Sequence, residues 1–212
     1  MKYIIMCGCQ SDEVTPRHLI KINGEELAAR TIRLLRDEGI REIYISTNHE
    51  AFFKFDVPII KHFNGIYDHP GKYSYWVDGF FPMDEPVCYI FGDVYFSEEA
   101  IHTIVNKETD DIEFFASAPP FPPEYPKEWA EPFAFKVQNQ EHFKAAIKET
   151  KYLCDTAQFK RHPIAWELWM VIKRTPLNVI DFDNYTVIND YTCDIDIMEM
   201  DKYLDMEGSE ND

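Results

Sequence analysis

Two aspartates, Asp93 and Asp196, follow apolar segments that are typical of buried strands. The run Pro86–Phe91 ends in Gly92-Asp93, and Asp196 lies in the segment Cys193–Glu199. A carboxylate just past a buried strand lies at the carboxyl edge of the sheet, where open α/β sheets bind ligands. Since both aspartates follow apolar strands, we expect them to meet at one such edge. The alternative is that Asp93 only caps a turn and Asp196 only faces solvent.

The segment around Asp196 also carries a second carboxylate, Asp194. Side chains alternate along an extended chain, so Asp194 and Asp196 are predicted to lie on the same face.

The elements that must position these carboxylates begin with the N-terminal unit of residues 1–47. The apolar run Lys2–Cys7 is typical of a buried strand. Asn23 followed by Glu26 resembles a capping box and predicts a helix beginning near Gly24. Ile43–Ser46 is the next predicted strand. Together these form a βαβ unit, whose crossover should be right-handed.

The rest of the chain continues the alternation of apolar strands and amphipathic helices. It predicts an α/β fold, a three-layer sandwich with a mixed, mostly parallel sheet. Residues 1–204 are expected to form one domain, and 205–212 an acidic disordered tail. Further predicted elements are strands at 57–61, 86–91, 112–117, 132–137, 179–180 and 186–188, and helices at 73–80, 98–105, 142–148 and 165–172. The proline-rich residues 119–127 are predicted to form neither a central strand nor a helix interior.

Composition limits the classes of function. The chain has 212 residues, 45% of them hydrophobic, and a formal net charge of −17. Such a charge repels nucleic acid, so no nucleic-acid partner is expected. No apolar stretch approaches the ~20 residues that a membrane-spanning helix needs, so we expect a cytoplasmic protein without a membrane partner. The five cysteines are odd in number and lie mostly in apolar runs, which favours reduced thiols over disulfides. The spacing of Cys7 and Cys9 is too short for the usual zinc pairs.

The N-terminal unit resembles the nucleotidyltransferases that activate sugar phosphates and alcohol phosphates, including the choline-phosphate branch. The residues that carry the resemblance are Pro16-Arg17, Leu19, Ile22-Asn23-Gly24 and Arg30-Thr31-Ile32. The runs around Asp93 and Asp194-Ile195-Asp196 extend it towards the C-terminus. The resemblance implies the fold of nucleotide-diphospho-sugar transferases.

The resemblance also implies an activity. This is the Mg²⁺-dependent transfer of a nucleoside monophosphate from an NTP, CTP- or UTP-like, onto a small phosphorylated acceptor, for instance in polysaccharide biosynthesis. Its implied site residues are Asp93 and Asp196 for the metal, Arg17 and Lys21 for catalysis, Met6, Gly8, Cys9, Gln10 and Asn48 for the nucleotide, and Asn64 and Ser74 for the acceptor. A homodimer is a further expectation.

Two departures from the family pattern leave other functions open. The loop that is usually glycine-rich keeps only Gly8 and carries Asp12 and Glu13, and Arg17 stands where the family has lysine. A non-catalytic binding protein of the same fold is therefore one alternative. A nucleotide-sugar glycosyltransferase with Asp194-x-Asp196 as its metal motif is another, although that motif normally lies mid-chain in those enzymes.

Overall fold

A computed structural model describes residues 1–9, 16–62, 72–162, 164–178 and 182–195. The strands within these ranges are β1 Lys2–Met6, β2 Lys21–Ile22, β3 Glu25–Glu26, β4 Ile43–Thr47, β5 Ile59–Lys61, β6 Val87–Phe91, β7 Val94–Tyr95, β8 Ile112–Ser117, β9 Glu131–Val137, β10 Thr186–Val187 and β11 Cys193–Asp194. The α-helices are α1 Leu27–Asp37, α2 Glu98–Asn106, α3 Gln140–Asp155 and α4 Ala165–Lys173. Short 3₁₀ helices span Arg17–Leu19, Glu50–Lys54 and Tyr73–Gly79.

The core of the fold is a seven-stranded sheet in the order β10-β8-β9-β6-β1-β4-β5. Strand β1 pairs in parallel with both β4 and β6, β4 with β5, and β10 with β8. Within this sheet β9 runs antiparallel to its neighbours β6 and β8. The predicted mixed, mostly parallel sheet is therefore confirmed.

Helices cover both faces of this sheet. Side chains of α1 and α2 share one buried cluster with Tyr3 and Ile5 of β1. Side chains of α3 and α4 share the opposite cluster with Ile4. Successive β1 residues point to opposite faces because side chains alternate along a strand. The result is the predicted arrangement of three layers.

The capping box predicted at Asn23 is wrong. Asn23 and Gly24 have φ angles of 49° and 84° and form the turn between β2 and β3, which pair antiparallel. Asn-Gly is the preferred pair for such a hairpin turn, because both central residues need positive φ. Helix α1 begins three residues later, at Leu27, with Glu26 as its N-cap.

The proline-rich residues 119–127 contain neither helix nor strand, as predicted. The predicted strand at 179–180 and the tail at 205–212 lie outside the described residues. None of the five cysteines forms a disulfide. Among the helices described, none is both long and apolar enough to cross a bilayer.

Candidate active site

A cleft lies at the carboxyl edge of the sheet, over β1 and its neighbours. From β1 the chain proceeds to β4 and β5 on one side and later to β6 and β9 on the other. The order of strands thus reverses at β1, and the loops that follow β1 and β6 separate there. This is the position at which open α/β sheets bind their ligands.

Arg17 and Asp93 form an ion pair in this cleft. Arg17 Nη2 lies 3.2 Å from Asp93 Oδ2. Arg17 begins the 3₁₀ helix Arg17–Leu19, whereas Asp93 follows β6 across the turn at Gly92. The structure therefore brings together a predicted catalytic residue and a predicted metal ligand that are distant in sequence.

The turn that presents Asp93 depends on the small size of Gly92. The Gly92 N–H donates to the Met6 carbonyl at 3.0 Å, so the turn lies against the end of β1. A Cβ at this position would lie 2.6 Å from the Met6 oxygen and 2.7 Å from Cys7 Sγ. A larger residue would push Asp93 out of place, and glycine is required for packing here.

The start of the loop after β1 is tied to the end of β4. The Cys9 N–H donates to Asn48 Oδ1 at 3.3 Å, and Asn48 Nδ2 donates to the Cys9 carbonyl at 2.8 Å. Thr47 Oγ1 donates to the Cys7 carbonyl at 2.9 Å. These bonds fix the backbone on both sides of Gly8, a residue that lines the cleft. Gln10 lies outside the described residues.

The C-terminal segment returns to Asp93. Strand β11 pairs antiparallel with β7, and the Ile195 N–H donates to the Asp93 carbonyl at 2.9 Å. Asp194 lines the same cleft as Asp93. The chain is thus bonded to Asp93 at Ile195. The next residue, Asp196, lies outside the described residues.

A buried hydrogen-bond network anchors this segment to the start of α2. Ser97 Oγ donates to Asp190 Oδ2 at 2.5 Å and accepts from the Ala100 N–H, which caps the helix. The Ser97 N–H donates to Thr192 Oγ1, and the Thr192 N–H donates to Asp190 Oδ1. These bonds hold β7 and β11, the two strands beside Asp93, at the start of α2.

The cleft has two chambers that share Arg17, Trp76, Phe91 and Asp93. The inner chamber has a volume of about 230 Å³. The other residues that line it are Met6, Gly8, His18, Ser46, His62 and Gly79. At one point of its wall, Ser46 Oγ lies 3.1 Å from His62 Nδ1.

The outer chamber, of about 610 Å³, is aromatic and acidic. The other residues that line it are Glu128, Trp129, Ala130, Glu131, Pro132, Ile164 and Asp194. Trp129 is 72% exposed, so its ring is available to a ligand. Four of these lining residues carry carboxylates, and two of the four are ion-paired, Asp93 with Arg17 and Glu131 with Lys127.

His18 lines the inner chamber together with Arg17 and Asp93. It is buried against the edge of Phe52, at 5.8 Å between ring centroids. Burial lowers the pKa of His18 to about 4, although the nearby Asp93 carboxylate acts in the opposite direction. The ring is therefore neutral at physiological pH and adds no charge to the site.

The structure places two other predicted site residues elsewhere. Lys21 is exposed on β2 and does not line either chamber. Ser74 is buried and borders a separate cavity, which Lys72 and several residues between 154 and 162 also line. Asn64 lies outside the described residues.

Several solved structures are similar to the chain over nearly its whole length. A putative glucose-1-phosphate thymidylyltransferase from Bacillus anthracis is 16% identical, with a TM-score of 0.56 over 97% of this chain and 94% of that one. A CTP:phosphocholine cytidylyltransferase from Streptococcus pneumoniae is 15% identical, with a TM-score of 0.52 over 97% and 98%. The inositol-1-phosphate CTP transferase from T. maritima is 14% identical, with a TM-score of 0.51 over 96% and 94%.

The chain has the fold of these nucleotidyltransferases. The fold implied by the sequence resemblance is therefore confirmed. No protein-family model and no curated protein sequence matches the chain.

The donor set of the cleft fits Mg²⁺. This ion takes oxygen ligands and needs only one or two carboxylates, with phosphates and water completing its shell. Asp93 and Asp194 supply carboxylates to the outer chamber. Among the described residues, no group of three or more histidines, cysteines or acidic residues could hold a metal ion alone.

Sequence reasoning did not identify several residues of the cleft. Trp76 lies in an aromatic segment that is equally typical of packing. Trp129 follows the proline-rich residues, where no periodic pattern gives a signal. Ser46 and His62 are single polar residues at the ends of two strands, and their pairing depends on the register of β4 and β5.

Proposed function

We propose that the protein is a nucleotidyltransferase that moves a nucleoside monophosphate from an NTP onto a small phosphorylated acceptor, with Mg²⁺ as its metal. The observation that carries this proposal is the Arg17–Asp93 ion pair at the carboxyl edge of the sheet, on the wall that both chambers share. This pair would place a cation and a carboxylate suited to metal binding where the NTP and the acceptor meet.

In this reaction an oxygen of the acceptor phosphate forms a bond to the α-phosphorus of the NTP. The bond from that phosphorus to the bridging oxygen breaks, and pyrophosphate leaves with the electron pair. The guanidinium of Arg17 would donate to oxygens of the transferring phosphate, where negative charge develops. The backbone that follows β1 at Gly8 would bind the triphosphate.

Asp93 would be one metal ligand and Asp196 the second. Support for this pair comes from the Ile195 N–H, which bonds the Asp93 carbonyl immediately before Asp196 in the chain. Bound Mg²⁺ would offset the charge of the phosphates in a protein that is itself strongly acidic.

The outer chamber favours an acceptor with a positively charged group. Trp129 and Trp76 offer aromatic faces, and Glu128 and Asp194 place carboxylates in the same wall. Ammonium groups are attracted to both kinds of surface. The Streptococcus pneumoniae neighbour is named for phosphocholine, which has this chemistry.

The test is pyrophosphate release from CTP or UTP with Mg²⁺ and either phosphocholine or glucose 1-phosphate. We expect turnover with phosphocholine, and a loss of about 100-fold or more in Arg17→Met, typical of a lost transition-state donor. The matched control is Arg36→Met, because Arg36 is an exposed arginine that bonds the Asp56 carbonyl far from the cleft.

Other results would select an alternative. Nucleotide binding without pyrophosphate release under any of these conditions would favour a non-catalytic binding protein. Release of a nucleoside diphosphate from a nucleotide sugar would favour a glycosyltransferase.

A further inference from the structure

A buried lysine is bonded to the wall of the outer chamber. The Lys127 side chain is only 7% exposed, and its Nζ lies 2.8 Å from Glu131 Oε2. The same Nζ donates to the Thr192 carbonyl and lies 4.8 Å from the centroid of the Phe133 ring. A lysine is rarely buried unless its charge is paired and its protons are hydrogen-bonded. These contacts meet both conditions.

Three separate parts of the chain meet at this one nitrogen, and each contributes to the outer chamber. Lys127 ends the proline-rich residues and directly precedes residues 128–129, which line the chamber. Glu131 also lines it and begins β9. Thr192 directly precedes β11, whose Asp194 lines the chamber as well. Lys127 therefore joins segments that are distant in sequence but share one wall.

The first of these parts has no regular structure of its own. Residues 118–130, here called the chamber loop, connect β8 to β9 and contain neither helix nor strand. Their backbone thus lacks the repeated hydrogen bonds that fix a strand or a helix. The position of the chamber loop depends more on side-chain contacts, and the Lys127 ammonium supplies two of them.

The Thr192 end of this connection is fixed independently of the lysine. The Thr192 N–H donates to Asp190, and its hydroxyl accepts from the Ser97 N–H at the start of α2. Strand β11 also pairs with β7. The β11 segment is thus held by other bonds, and what Lys127 adds is the link from that segment to the chamber loop.

We propose that Lys127 is the positioning residue of the acceptor site. By bonding Glu131 and the Thr192 carbonyl at once, it holds the chamber loop against β11, so that Trp129 and Asp194 can contact the same acceptor. This inference rests on the proposed function and concerns its acceptor. Because Lys127 joins residues of the outer chamber, its loss should affect binding of the acceptor and not of the NTP.

The charge of Lys127 alone would have the opposite effect on an acceptor with a positively charged group. Without the lysine, the Glu131 carboxylate loses this counter-ion, and a more negative wall attracts a cation more strongly. A role in charge therefore predicts tighter binding of such an acceptor in a variant without the lysine. A role in positioning predicts weaker binding, so the direction of the change separates the two.

The experiment is steady-state pyrophosphate release by the whole protein with Mg²⁺, with phosphocholine or glucose 1-phosphate and CTP or UTP, in the combination that the natural protein turns over. We expect Lys127→Met to raise the KM of the acceptor at least tenfold and to leave the KM of the nucleotide within twofold. Lys127→Arg keeps the charge and the donors, so its KM for the acceptor should stay within threefold of the natural value.

A double variant, Lys127→Met with Glu131→Gln, tests position with the charges balanced. It removes both members of the ion pair but does not restore the bond to the Thr192 carbonyl. We expect its KM for the acceptor to be at least fivefold above that of Glu131→Gln alone. This variant also leaves no unpaired carboxylate at the buried pair, so it decides the question if Lys127→Met does not fold.

Lys136→Met is the matched control. Lys136 is likewise a buried lysine that donates to backbone carbonyls, but these belong to the end of α2, and it lines neither chamber. Its loss should lower stability and leave both KM values unchanged.

Two results would overturn this inference and leave the proposed function standing. One is a KM for the acceptor that is unchanged or lowered in Lys127→Met, or raised only together with that of the nucleotide. The other is a double variant that matches Glu131→Gln alone. If the natural protein releases no pyrophosphate in any of the four combinations, the proposed function itself fails, and the inference with it.

Discussion

Arg17 and Asp93 are paired at 3.2 Å between Nη2 and Oδ2, and the pair joins the segment after the first loop to the turn after β6. The Arg17 side chain is 41% exposed and that of Asp93 is 18% exposed. Ion pairs this accessible contribute only about 0–1 kcal/mol to stability. Their proximity therefore matters more for the chemistry of the cleft than for holding the fold together.

Asp93→Asn should abolish Mg²⁺-dependent turnover and change the free energy of unfolding by less than about 1 kcal/mol, because only an accessible ion pair is lost. Pyrophosphate release and urea denaturation measure the two effects. Asp84→Asn is the control, since Asp84 pairs with Lys144 at the surface; it should change neither. Retained turnover in Asp93→Asn would contradict the metal role.

Gly92→Ala should destabilise the protein by about 1–3 kcal/mol, the usual cost of overpacking a core, and reduce turnover by displacing Asp93. The added Cβ would meet the Met6 carbonyl oxygen at 2.6 Å and Cys7 Sγ at 2.7 Å. Cys7→Ala in the same chain removes only the sulfur contact, so it should rescue stability partially. Urea midpoints of the single and double variants test this, and full rescue would show that the backbone contact is unimportant.

His18 should make stability fall as the pH falls from about 6.5 to about 4. Its pKa is about 4 in the folded chain, whereas an exposed histidine ring has a pKa of 6.5, so the unfolded state binds more protons in this window. Integrated over the window, the loss approaches about 3 kcal/mol. His18→Gln has no such proton and should lose less stability than the natural protein between pH 7.5 and pH 4.5 in urea titrations. The control His102→Gln removes an exposed histidine and should behave as the natural protein does.

Lys136→Met should destabilise the fold by about 1–3 kcal/mol. Lys136 is buried in β9, and its Nζ donates to the carbonyls of Ile104, Val105 and Lys107 at the end of α2, at 2.6–3.0 Å. Methionine fills similar space but leaves these carbonyls without their donor. The exposed Lys148→Met is the control for loss of a lysine. Equal urea midpoints for the two variants would show that the hydrogen bonds of Lys136 contribute nothing to stability.

Much of the fold was predictable because its signals are local. The apolar runs of β1 and β6 and the Ser97 cap of α2 each have a pattern that depends on nearby residues only. The start of α1 was mispredicted because Asn23 carries two competing local signals. Its side chain suits a helix cap, whereas the pair with Gly24 suits a hairpin, and the pairing of β2 with β3 selects the hairpin.

The cleft was less predictable because its contacts are not local. The position of Asp93 after a strand indicates the sheet edge, but its pairing with Arg17 depends on the packing of the first loop against the turn at Gly92. The bond between Ser46 and His62 requires the register of two parallel strands. That register follows from packing across the whole sheet and has no signature at either residue.

The anchoring of β11 to β7 also has a consequence for biosynthesis. Strands β1 to β9 precede it in the chain, so most of the sheet, with Arg17 and Asp93, emerges from the ribosome first. The segment that bonds the Asp93 carbonyl through Ile195 is translated only afterwards. A nascent chain can thus have a folded sheet and still have an unfinished cleft.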